Sequence, residues 1–390
     1  MRRYSRPAAC PACRPLSSRN ETLDIEAVNL ITHPAALAAA LDAWSGAPWL
    51  ALDTEFVRET TYFPKLCLVQ ASDGRSAACI DTLALQAAEL QPLLSALAAS
   101  AADKIFHSAS QDLEIFVQLT GDCPRPLFDT QIAAALLGDG DQLGYAALVE
   151  KRLGIKLDKS LTRTDWSRRP LSGAELSYAV DDVRYLAELY PLLLEELNKR
   201  ERLSWLREDC QRATNPARYQ TLPEQAWRRL KGFTRLAPPA RPIAATLAAW
   251  REQTAQERDR PRKWILEDDA IYRIAERAPA SLAQLVALNV LQPKTLERNG
   301  DTLLQLVAST DSSAAIAIDD ALPFDDQQKA CFKRVQDALR SAAEDLGLSV
   351  SLLGPRADAE AIVRHGAAAT VPLMEGWRRA AIGEKLLALL

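Results

Sequence analysis

Four short apolar runs mark the early part of the chain: Trp49-Leu-Ala-Leu52, Leu66-Cys-Leu-Val69, Ala77-Ala-Cys-Ile80 and Lys104-Ile-Phe-His107. Each stops near a turn-forming or acidic residue, as buried strands do, and each is too short for a buried helix. From about residue 111 the period changes. Segments 111–119, 128–137, 144–153 and 173–200 repeat their apolar positions at helical spacing. Strands interleaved with helices predict an α/β domain over residues 28–211. Beyond it only helical periodicity remains. Polar, proline-marked stretches at 213–223 and 309–324 read as linkers. They divide the remainder into two all-α units, 212–308 and 320–390, which end in Leu303-Leu-Gln-Leu306 and Leu386-Leu-Ala-Leu-Leu390.

Three units fit within 390 residues at roughly 100–200 residues per domain, allowing for small helical ones. With 48% hydrophobic and 25% charged residues, the composition excludes collagen-like and wholly disordered chains. No segment reaches the roughly 18–20 apolar residues of a membrane span, so no membrane association is expected. The seven cysteines are too sparse for a disulfide scaffold and point to a reducing cytoplasm. Residues 1–27, rich in Arg, Ser and Pro, are expected to be a disordered tail. Its lone Cys10-Pro-Ala-Cys13 lacks the second ligand pair of a zinc site.

Asp53 and Glu55 carry the first chemical signal. Residues i and i+2 of a strand share a face, so both carboxylates leave the end of an apolar strand together. Two anions this close repel unless a cation lies between them. Taken alone, the pair reads better as a solvated strand end, because such a spacing of two acids is common. Asp112 stands where a strand passes into a helix, and Tyr178 shares a helix face with Asp182, four residues on. Asp181, three residues on, reaches that face too, and spacing alone does not choose between them. Four carboxylates and a tyrosine at one site suit two divalent cations roughly 3.5–4 Å apart. Oxygen-only ligands select Mg²⁺ or Mn²⁺ over zinc. A tyrosine beside such a pair would orient the attacking water or help remove its proton.

Residues Leu52-Asp-Thr-Glu-Phe-Val-Arg-Glu-Thr-Thr-Tyr-Phe-Pro-Lys-Leu-Cys-Leu-Val-Gln70 resemble the first motif of the DEDD 3′→5′ exonucleases. His107-Ser-Ala-Ser-Gln-Asp112-Leu resembles the second, and Tyr178-Ala-Val-Asp-Asp182-Val the third. With Asp165-Trp-Ser-Arg-Arg-Pro-Leu171, the pattern is similar to the bacterial ribonuclease D family. The resemblance implies a ribonuclease H-like mixed sheet flanked by helices. It gives the metal-ligand role to Asp53, Glu55, Asp112 and Asp182, and the water-positioning role to Tyr178, the mark of the tyrosine branch. It thereby prefers Asp182 to Asp181. His107 is expected to pack beside the site, and Glu114 and Asp129 to serve surface or capping roles.

The net charge of −4 hides an uneven distribution. Residues 28–211 hold 17 basic and 26 acidic side chains, a net −9, whereas residues 212–300 hold 16 and 9, a net +7. The first helical unit is therefore the expected electrostatic hold on a polyanion. Ala226-Trp-Arg-Arg-Leu-Lys-Gly232 and the segment around Trp250 and Trp264 resemble an HRDC domain; Met374-Glu-Gly-Trp-Arg-Arg379 suggests a second, divergent copy. Arg228, Arg229, Lys231, Arg260, Arg262 and Lys263 are the expected phosphate contacts there, with its tryptophans in the core. In the basic stretch 151–169, Lys151, Arg163, Arg168 and Arg169 are expected to grip phosphates near the scissile bond, and Trp166 to pack. The resemblance thus implies removal of 5′-mononucleotides from RNA 3′ ends with two Mg²⁺ or Mn²⁺ ions, on tRNA precursors and small structured RNAs. No obligate protein partner is evident. The alternatives are a DNA 3′→5′ exonuclease and a non-catalytic RNA-binding protein on the same fold.

Overall fold

A computed structural model describes residues 29–390 apart from 159–160, 162–163, 315 and 317–322. The N-terminal CxxC lies outside the described residues. The α/β domain opens with β1 (Asn29–Ile31), α1 (Pro34–Trp44), β2 (Trp49–Val57), β3 (Lys65–Ser72) and β4 (Ala77–Asp81). It continues with α2 (Ala87–Ala99), β5 (Asp103–Phe106), α3 (Ser110–Thr120), β6 (Leu127–Asp129) and α4 (Thr130–Leu136). Helices α5 (Tyr145–Leu153), α6 (Gly173–Lys199) and α7 (Leu203–Ala213) complete it. The six strands form one mixed sheet, ordered β1-β4-β3-β2-β5-β6, in which β3 runs antiparallel to both neighbours. The expected flanked mixed sheet is thus observed.

Two strands escaped the sequence pattern. β1 and β6 are three residues each, too short to display a period, and residues 128–129, expected in a helix, belong to β6. The helical signal of that segment begins only at Thr130, because buried Asp129 caps α4 by accepting from the amides of Gln131 and Ile132. Helix α6 starts at a capping box, with Ser172 accepting from Glu175 N–H and Glu175 returning the bond to Ser172 N–H. It then lies across β2, β3 and β4, so its inner face meets the centre of the sheet.

The first helical unit contains α8 (Ala240–Glu257), α9 (Arg262–Ile265), α10 (Asp268–Arg277), α11 (Leu282–Ala287) and α12 (Pro293–Ser309). It has its own core around Leu247, Ile271, Ile274 and Leu303. The C-terminal unit, with α13 (Asp326–Leu346), α14 (Val350–Leu353) and α15 (Arg356–His365), does not. Its buried Val335, Leu339, Leu353, Ile362 and Leu386 belong to the same continuous cluster as Leu52, Phe106 and Leu193 of the α/β domain. Trp377 stacks on Trp205 at 4.4 Å, and Arg378 forks onto both oxygens of Asp209. Gly376 has φ +49° and offers no room for a Cβ, because the Glu208 carboxylate packs there to accept from Trp377 N–H. No helix among the described residues is long and apolar enough to cross a membrane.

Candidate active site

Strand β2 ends in the pair that the sequence singled out. Asp53 and Glu55 leave the face covered by α6, and carboxylate oxygens of Asp53, Glu55 and Asp182 lie within 4.8 Å of one another. Asp182, rather than Asp181, joins them; Asp181 lies beside Arg184, 3.9 Å away. Asp112 arrives differently. Thr54 faces the other side of β2, and its hydroxyl donates to Asp112 Oδ1 at 2.5 Å, which fixes that buried carboxylate at the strand end. The sequence pattern contained no sign of this Thr54 contact, since a threonine between two acids reads only as strand propensity.

All four carboxylates are held above their ordinary range. Burial is the leading cause for each. Glu55 is pushed up to about 8, with Asp182 and Asp112 adding repulsion. Asp112 and Asp182 are each raised to about 7, with Asp181 reinforcing the latter and Thr54 opposing the rise of the former. Asp53 is raised well above the usual value by burial and by Asp182, Asp112 and Glu55. Such a crowd of oxygen donors fits a hard divalent cation, whose charge would relieve the repulsion. Burial, with Asp182, Glu55 and Asp53, pushes the Tyr178 phenol up, so it stays protonated at neutral pH and has a proton to donate. Tyr178 and Asp182 line a cavity of about 310 Å³ with Leu157, Asp158 and Leu161, which brings the basic stretch to the edge of the site.

The neighbouring residues take structural roles. Asp129 accepts from the amides of Ser108 and Ala109, and thereby holds Ser108 in a left-handed conformation (φ 58°) at the mouth of α3. Glu114 pairs with Arg58 at 2.9 Å. His107 Nδ1 lies 2.9 Å from Thr130 Oγ1. Trp166 is buried against Cys67, Leu68 and Ala179, as expected of a packing residue.

The expected phosphate contacts divide into several groups. Arg228, Arg229, Lys231 and Lys263 are exposed. Lys151 and Arg168 are half-exposed while paired with Asp139 and Glu175. Arg163 lies outside the described residues. Two expectations are corrected. Arg169 forks onto Asp81 at 2.6 and 2.7 Å and donates to the carbonyls of Cys67, Trp166 and Arg168, so its donors are spent on fastening the chain before α6 to β3 and β4. Arg262 forks onto buried Glu252, donates to Tyr62 Oη at 2.9 Å and lies 4.6 Å from the Tyr62 ring centre. It is a fastening between units, with Tyr62 also bonded to Glu252. Trp264, expected in the core, is 51% exposed. A larger cleft of about 1040 Å³ lies at this seam, lined by Arg58, Tyr62, Tyr219, Arg229 and Lys263 and by none of the four carboxylates.

The chain matches the family described as 3′-5′ exonuclease over residues 28–198 and the HRDC domain over residues 241–307. It is 38% identical over 370 residues to ribonuclease D of Zymomonas mobilis, covering 93% of each chain, and 35% identical over 366 residues to that of Pseudomonas paraeruginosa, covering 92% and 96%. Its structure is similar to Escherichia coli RNase D, with a TM-score of 0.82 and 32% identity over 93% of this chain and 98% of that one. The catalytic core of RRP6 from Trypanosoma brucei shares the fold at a TM-score of 0.57 and 22% identity, over 72% and 79%. Sheet, carboxylate cluster and appended helical unit thus define a 3′→5′ exonuclease carrying an HRDC domain. The chain belongs to the ribonuclease D family, and it is a 3′→5′ exoribonuclease.

Proposed function

We propose that the enzyme trims RNA 3′ ends one nucleotide at a time, releasing 5′-mononucleotides, with two divalent cations, Mg²⁺ or Mn²⁺, held by Asp53, Glu55, Asp112 and Asp182. The observation that carries this is the convergence of Asp53, Glu55 and Asp182 oxygens within 4.8 Å, with buried Asp112, held by Thr54, near enough to add to the proton affinity of Asp53 and Glu55. When bound, the ions would supply an activated water and stabilise the leaving oxygen. Tyr178, four residues before Asp182, carries the tyrosine-branch role: its protonated phenol orients the water by donating a hydrogen bond.

The exposed Arg228, Arg229, Lys231 and Lys263 hold the RNA body through its phosphates, and Trp264 offers a ring for a base. Lys151 and Arg168, half-exposed on the stretch that leads to the catalytic cavity, are the contacts nearest the scissile bond. The seam cleft leads the strand between the two surfaces. The unit 320–390 acts as a divergent second HRDC domain that shapes the substrate path. The substrates are tRNA precursors and small structured RNAs, in keeping with the similarity to the Escherichia coli enzyme, an exoribonuclease involved in structured RNA processing. The test is incubation with a 3′-extended tRNA precursor and a matched single-stranded DNA, each in Mg²⁺ or in EDTA. Trimming of the RNA in Mg²⁺ alone, lost in Asp53→Asn, is expected. Preference for DNA would overturn the substrate, and turnover in EDTA would overturn the metal site.

A further inference from the structure

The third-motif helix must bring Asp182 to Asp53 and Glu55 against their mutual repulsion. Packing beneath α6 supplies part of the restraint, and a second tyrosine supplies a directional part. Tyr145 stands at the start of α5, and its hydroxyl donates to the backbone carbonyls of Asp182 at 2.6 Å and Asp181 at 3.0 Å. Those carbonyls belong to the one turn of α6 whose position decides whether Asp182 reaches the cluster. The other end of the tyrosine is equally fixed. Its ring packs 5.5 Å from the His107 ring, which bonds Thr130, and Thr130 Oγ1 donates to Phe106 O at the end of β5. A continuous chain of contacts therefore links the second-motif loop to the third-motif helix through one phenol.

We infer that Tyr145 is a positioning residue, which tethers the Asp181–Asp182 turn of α6 so that Asp182 stays within ligand distance of Asp53 and Glu55. The inference rests on the reading of Asp182 as a metal ligand. A hydroxyl bonded to a backbone carbonyl needs no titration to act. It sets a distance.

The test is binding of Mn²⁺ alone, followed by the electron paramagnetic resonance of the free ion, with thermal melting in EDTA measured alongside. Tyr145→Phe keeps the ring against His107 and removes only the donor. Loss of such an outer contact weakens metal binding by about 10-fold or more, and this is the expected result. A merely structural tyrosine would instead lower the melting temperature in EDTA and leave Mn²⁺ affinity at the wild-type value, which would overturn the tether. Wild-type protein that binds no Mn²⁺, or Asp182→Asn that binds it normally, would overturn the metal site itself and the tether with it. Should Tyr145→Phe fail to fold, 3,5-difluorotyrosine at position 145 donates a stronger hydrogen bond in the same shape. Tighter Mn²⁺ binding is then expected, and unchanged or weaker binding refutes the tether.

Discussion

At the scale of single residues, the carboxylate cluster makes the protein's stability depend on pH in the opposite sense to an ordinary salt-bridged acid. Asp53, Glu55, Asp112 and Asp182 all hold protons more tightly when folded than their ordinary values of 3.8 and 4.5 allow. Between those values and the folded ones of about 7 to 8, the native state therefore binds more protons than the unfolded chain. Stability from these groups is complete below about pH 4 and is lost as the pH rises through the folded values. Each excess proton corresponds to about 1.4 kcal/mol per pH unit. In EDTA, the melting temperature should fall between pH 5 and 8, by roughly 3–6 °C per unit for each carboxylate that responds fully. Mg²⁺ replaces the protons as counter-charge, so the stabilisation it adds should grow with pH over the same range. Differential scanning fluorimetry with and without Mg²⁺ measures both, and a flat EDTA profile would mean that the four acids do not share one buried site.

At the scale of elements, the loop after β2 shows what charge alone misjudges. Tyr62 sits on this loop, and its amide and that of Phe63 donate to Asp259 Oδ1 at 2.9 and 3.0 Å, while Tyr62 Oη meets Glu252 and Arg262 of the HRDC unit. The loop that follows Glu55 is thus gripped by the helical unit, through groups far apart in sequence. Arg262→Gln should lower the melting temperature while leaving the slope of log affinity against log salt for RNA unchanged. Neutralising Arg228, Arg229 and Lys231 should do the reverse, flattening that slope by about 0.7–0.9 per lost phosphate contact. Fluorescence anisotropy across a salt series separates the two. A shallower slope in Arg262→Gln would return that residue to the RNA surface. The same contrast explains what the sequence could and could not reveal. Asp53 and Glu55 were placed together by the two-residue strand period, and Tyr178 with an aspartate one turn on by the helix period, but only the motif resemblance preferred Asp182 to Asp181. Arg169 and Arg262 were misread because their partners, Asp81 on one hand and Glu252 with Tyr62 on the other, meet them only in three dimensions. Three-residue strands such as β1 carry too few positions for any period to show.

At the scale of the whole molecule, the linkers at 213–223 and 309–324 suggest three equivalent beads, but the cores are shared otherwise. The HRDC unit closes its own core, whereas the C-terminal helices complete that of the exonuclease domain. Units that share a continuous apolar core unfold together, and one with a separate core and a mostly polar seam is free to unfold alone. The seam here rests on Tyr62, Ala255, Ile265 and the bonds around Arg262. Calorimetry should therefore resolve two transitions, not three, with residues 226–307 as the smaller. Trp377 tests the assignment. It is 5% exposed, stacked on Trp205 across the boundary, and bonded through Nε1 to Asp209. Trp377→Ala should destabilise the larger transition by about 3–5 kcal/mol, as expected for a buried tryptophan, and leave the smaller one in place. If instead the C-terminal unit melts separately while the exonuclease transition keeps its midpoint, the common core does not act as one cooperative body.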